Sequence, residues 1–114
     1  MILRTRNENG ILVAEILVKE ASLEQADMLK AEMITLIDSG PKNILVDFIT
    51  VEYVDSSFLG AMVSSLKYAV AHQTDISVVN LEKDIYDLFT LIRLDKVFKI
   101  YTDTDEALAE LNKK

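Results

Sequence analysis

The run Ile44-Leu45-Val46-Asp47-Phe48 has apolar side chains at every position but one. A strand with no polar face must be covered on both sides, which places it in the middle of a sheet layered between helices. Asp75 to Val79 reads as a second buried strand of this kind. Between them, Leu59, Met62, Val63, Leu66 and Val70 recur at helical spacing and mark the inward face of a helix that begins around Ser56 or Ser57. Strands separated by helices need crossover connections, so these two strands run parallel.

The remaining segments extend the pattern. Ile2 to Arg6 and Ile11 to Val18 flank Asn9-Gly10, the strongest short hairpin signal, and are expected to pair antiparallel. Ser22 and Gln25 form an S-x-x-Q capping box ahead of Ala26, Leu29, Met33, Leu36 and Ile37. Gly40 and Pro41 end that helix. Val51 to Val54 continue the apolar character up to Asp55. Glu82 to Ile92 is read as a helix with Ile85, Leu88, Phe89 and Ile92 inward, and Val97 to Tyr101 as a last short strand. Asp103 or Thr104 caps a final helix carrying Ala107, Leu108 and Leu111, and Asn112-Lys113-Lys114 is a frayed tail. The expected fold is α/β, a mixed and mostly parallel sheet of about five strands with four helices and an N-terminal β-hairpin. Residues 1–114 are read as one domain.

Composition narrows the function. The net charge is −7, from 19 acidic and 12 basic side chains, which argues against a nucleic-acid or anionic-membrane surface. No cysteine is present, so disulfides, thiolate metal sites and cysteine nucleophiles are excluded. His72 alone builds no zinc site, and no cofactor is expected. No apolar run approaches the roughly 20 residues of a membrane span, and no signal-peptide core follows Arg4 and Arg6. The expected location is therefore cytoplasmic.

The most informative stretch is Asp55-Ser56-Ser57-Phe58-Leu59-Gly60. It puts an acid and two hydroxyls where a buried strand gives way to a helix, at the sheet edge where binding sites of α/β proteins collect. A helix start also offers unpaired backbone N–H groups and the positive end of a dipole, which favour an added phosphate. The local alternative is that Asp55 or Ser56 is simply an N-cap.

Leu45-Val46-Asp47-Phe48, a short spacer, then Asp55-Ser56-Ser57-Phe58-Leu59-Gly60 resembles the signature of STAS domains, the fold of bacterial anti-sigma factor antagonists. Asn80-Leu81, Leu94 to Tyr101 and Glu106-Ala107-Leu108 extend the likeness over nearly the whole chain. The resemblance implies that Ser57 is phosphorylated by a GHKL-type serine kinase that is itself the anti-sigma factor. It further implies that the unphosphorylated form binds that anti-sigma factor and releases the sigma factor, and that a PP2C-type phosphatase reverses the mark. Asp55, Ser56, Ser57, Phe58, Ala61 and Ser22 are the expected partner-binding residues, and the catalysis lies in the partners. A non-catalytic subunit of a stable assembly, a stressosome-like particle or a lipid-transport ATPase complex, is the alternative within the family.

Two departures from the family pattern stand out. Phe58 replaces the usual Gly after the hydroxyl pair. With Ala61, Ser65 and Tyr68 it reads either as an aromatic partner contact or as cover for a neighbouring loop. The Gly-x-Leu-Asp that often precedes the first helix in the family is Lys19-Glu20-Ala21-Ser22 here, so Ser22 stands at the Asp position and keeps only the capping role. An enzyme would need a base beside Ser57. His72 is expected roughly 22 Å away along the same helix, at 1.5 Å rise per residue. A small-ligand carrier would need an apolar pocket, on which the sequence is silent.

Overall fold

A computed structural model describes residues 1–113; Lys114, part of the expected frayed tail, lies outside the described residues. The chain opens with the hairpin that Asn9-Gly10 demands. Strands β1 (Leu3–Glu8) and β2 (Ile11–Ile16) pair antiparallel from Leu3↔Ile16 to Glu8↔Ile11. Both turn residues are left-handed, Asn9 at φ 55° and Gly10 at φ 87°, the two-residue turn whose twist matches its strands.

Helix α1 (Leu23–Asp38) starts at Ser22, where the Gln25 side chain accepts from the Ser22 backbone N–H at 2.9 Å and from its hydroxyl at 3.0 Å. It ends in the left-handed Gly40, whose N–H donates to the Ile37 carbonyl. Strand β4 (Asn43–Asp47) then pairs parallel with β2 on one side and with β6 (Asp75–Val79) on the other. Helix α2 (Ser56–Ala71) connects those two strands; α3 (Lys83–Leu91) and a short 3₁₀ turn (Leu94–Lys96) lead to the edge strand β7 (Lys99–Tyr101). Helix α4 (Thr104–Leu111) closes the described chain, capped by the Asp103 carboxylate. The sheet order is β1-β2-β4-β6-β7, parallel except for the N-terminal hairpin.

Strand periodicity sorts the core into two clusters, one on each face of the sheet. Ala14, Ile16, Ile44, Val46 and Val78 point toward α1, α2 and α3, where they meet Leu29, Met33, Met62 and Phe89. Ile11, Val13, Leu45 and Val79 point the other way, onto Ala107 of α4. Beta-4 thus loses water on both faces, as its apolar run requires.

A second, two-stranded sheet was not foreseen. Beta-3 (Glu20–Ala21) pairs parallel with β5 (Tyr53–Val54), in register Glu20↔Tyr53 and Ala21↔Val54. These short strands immediately precede α1 and α2, so they hold the two helix starts side by side.

Two expectations about burial and one strand boundary are corrected. The inward face of α2 is Phe58, Leu59, Met62, Ser65, Leu66 and Ala69, while Val70 is 61% exposed. The core stripe is rotated toward the Phe58 side, which leaves Val70 outside the buried face. Ile92 is exposed because the helix has ended at Leu91. Val97 is exposed too: the left-handed Arg93 and the 3₁₀ turn delay the strand to Lys99.

Candidate functional site

Asp55 organises the site. It is the N-cap of α2, and its Oδ1 accepts from the Phe58 N–H at 2.9 Å. Its Oδ2 reaches the other helix and accepts from the Leu23 N–H, also at 2.9 Å. Its own backbone N–H donates to the Ala21 carbonyl, extending the β3–β5 pairing. One carboxylate therefore satisfies an orphan donor at the start of each of two helices, each of which also presents a positive dipole end to it. The N-cap reading of Asp55 is correct but incomplete, because the tie to α1 is long-range.

Ser56 and Ser57 are the first two residues of α2; Ser56 is exposed and Ser57 half-buried. Helix geometry leaves their N–H groups without intrahelical acceptors, and the Asp55 carboxylate takes the next one, that of Phe58. Ala61 lies one turn beyond Ser57 on the same face, half-buried against the core. Tyr68 continues that face, and its hydroxyl donates to Asp38 Oδ1 at the end of α1, at 2.6 Å. Ser22 is half-buried at the start of α1, joined to the site through the Leu23–Asp55 bond.

Phe58 does not belong to this surface. Its ring is fully buried in the main core cluster with Leu59 and Met62. At the third helical position the side chain points down into the sheet rather than outward, so the aromatic partner contact expected of Phe58 is withdrawn. Ser65, on the same expected face, is also buried, and its hydroxyl donates to the Ala61 carbonyl at 2.8 Å.

Sequence reasoning passed over two exposed apolar side chains that flank the site. Leu23, whose N–H is held by Asp55, is 69% exposed, and Tyr53, two residues before Asp55, is 55% exposed. A large apolar residue at the first position of an amphipathic helix was the available signal for Leu23.

Deeper along the sheet edge, Asp47 is buried and accepts from the Ile49 N–H at 2.9 Å and from the Asn80 side chain at 3.0 Å. Asn80 is left-handed, φ 62°, and also donates to the Thr104 hydroxyl at 3.2 Å. This network joins the ends of β4 and β6 to the start of α4, a structural role for Asp47 that leaves no carboxylate pair with Asp55. His72 caps the far end of α2, stacked on Tyr68 at 4.2 Å, and is no base for Ser57. Among the described residues no group of three His, Cys, Asp or Glu side chains is placed to hold a metal ion. None of the described helices is long and apolar enough to cross a membrane.

A three-layer α/β domain with a half-buried serine at a helix start, next to the Asp55 cap, defines the class of fold to which the chain belongs. The chain belongs to the STAS-domain family, whose model matches residues 5–107. A candidate anti-sigma factor antagonist of Thermotoga maritima is 28% identical over 97 residues, 84% of this chain and 86% of that one. The crystal structure of a candidate anti-sigma factor antagonist from the same organism superposes with a TM-score of 0.86 at 21% identity, covering 97% of this chain and 95% of the other. The Bacillus cell fate determinant SpoIIAA in its phosphorylated form superposes with a TM-score of 0.71 at 17% identity, covering 96% and 99%. At these identities the structural likeness is one of fold.

Proposed function

We propose that this chain is an anti-sigma factor antagonist. It binds an anti-sigma factor of the GHKL-type serine-kinase class, which frees the sigma factor, and phosphorylation of Ser57 ends the binding. A PP2C-type phosphatase restores it. The cycle runs in the cytoplasm.

The observation that carries this reading is the placement of Ser57 at the second position of α2, half-exposed, beside a carboxylate that already holds the helix start together. A phosphate there adds roughly 1.5 to 2 negative charges. The fold tolerates it, because the first N–H groups of the helix and its dipole stabilise an anion. A docked partner does not. Covering the phosphate together with Asp55 would strip water from two adjacent anions, and buried charges without matched partners are costly. The relatives named as anti-sigma factor antagonists support the same role.

Incubation with the GHKL-type anti-sigma factor kinase of the same genome and ATP tests the reading. Peptide mass spectrometry is expected to find a single phosphate, on Ser57. Phosphate on another residue, or none with an active kinase, overturns it.

A further inference from the structure

Beta-5 and α3 line a groove of about 310 Å³. Its floor is apolar, built from Val54, Ile85 and Leu88, and the exposed ring of Tyr53 stands at its mouth. Its rims are acidic. Glu52 and Asp84 are both exposed, and neither makes an ion pair among the described residues. The neighbouring cation, Lys83, pairs with Asp87 at 2.8 Å and also feels the charge of Asp84. One of its lining residues, Val54, immediately precedes Asp55.

An apolar slot with two exposed acids on its rims, neither in an ion pair among the described residues, on a chain of net charge −7, suits an apolar group flanked by positive charge. We propose that this groove is a second contact for the protein partner, receiving an aliphatic side chain flanked by Lys or Arg. The inference rests on the anti-sigma factor reading for the partner's identity and adds to it the chemistry of the segment recognised. The aliphatic group displaces water from Val54, Ile85 and Leu88, while the basic flanks meet Glu52 and Asp84. Tyr53, rigid and amphipathic, closes over the inserted side chain.

The test is a titration of the intact chain with the purified GHKL-type anti-sigma factor kinase of the same genome. The double variant Glu52→Lys/Asp84→Lys is compared with Asp75→Lys/Asp105→Lys, which makes the same change in net charge at exposed positions outside the groove. The groove pair is expected to weaken binding about tenfold or more and the distant pair less than about twofold. Tyr53→Ser is expected to weaken it about tenfold as well. Equal effects of the two charge-reversed pairs, or unchanged affinity in Tyr53→Ser, overturn the proposal. Ser57→Asp in the same titration separates the two readings. If it alone weakens binding, the switch stands and the groove fails; if only the groove variants weaken binding, the groove stands and the switch fails. No binding by the unaltered chain overturns both.

Discussion

The Asp55 carboxylate and the Leu23 backbone N–H, 32 residues apart in sequence, meet at 2.9 Å, and the same carboxylate caps Phe58 at 2.9 Å. The starts of α1 and α2 are thus one electrostatic unit, placed there by the two-residue strands β3 and β5.

Asp55→Ala is therefore expected to cost more than an ordinary cap. Loss of an N-cap costs about 0.5 to 2 kcal/mol, and the Leu23 donor loses its charged acceptor as well. Urea denaturation should show a loss at or above the upper part of that range, with Asp55→Asn in between. A loss below about 0.5 kcal/mol would show that the α1 tie contributes nothing.

Ser57 touches neither bond, so charge at that position should act on binding rather than folding. Ser57→Asp is expected to stay within about 1 kcal/mol of the unaltered chain in urea denaturation. Its affinity for the anti-sigma factor kinase should fall at least about tenfold, whereas Ser57→Ala should bind nearly normally. Calorimetry with that kinase reads both.

Phe58 is predicted to matter for stability instead. Its ring is fully enclosed by the core cluster, and Phe58→Ala leaves a cavity expected to cost about 3 to 5 kcal/mol. Phe58→Leu should recover much of the loss. The melting temperature checks both, and a variant that melts like the unaltered chain would contradict the burial.

Tyr68 carries a pH signature. Its hydrogen bond to Asp38, then burial and the charge of the same carboxylate, raise the phenol above its ordinary value. A group whose proton is held more tightly in the folded state stabilises fully below its unfolded pKa, about 10 for tyrosine, and loses that contribution as pH rises through the folded value. Thermal melts between about pH 9 and 12 should therefore fall more steeply for the unaltered chain than for Tyr68→Phe. Ultraviolet difference titration should show Tyr68 and Tyr101 ionising late, the latter raised by burial and then by Glu110 and Glu106, and Asp38→Ala should return Tyr68 alone toward its ordinary value.

Much of this was legible in the sequence wherever a local signal coincided with the tertiary requirement. Asn9-Gly10 announced the hairpin, and both residues adopt the left-handed conformation. The apolar run around Val46 announced a strand buried on both faces. Ser22 with Gln25 announced the start of α1. The position of Ser57 at a helix start followed from Asp55, a good capping residue. What stayed hidden depended on partners distant in sequence. Two residues, Tyr53 and Val54, carry too little pattern to reveal a strand pairing with Glu20 and Ala21. The orientation of Phe58 and Val70 depended on the angular setting of α2 over the sheet, which helical spacing leaves free within one neighbouring position. Nothing near Leu23 signalled that its amide serves a carboxylate on another helix.

The central position of β4 bears on how the chain assembles. Beta-4 is bordered on one side by a strand already synthesised and on the other by residues 75–79, which follow a whole helix later. Until those residues arrive, an apolar strand presents an unpaired edge to water, the kind of surface that recruits other chains. Contacts this distant in sequence form slowly. Fragments ending before residue 75 are therefore expected to be sticky, and ribosome-bound chains of that length should be the species most in need of a chaperone.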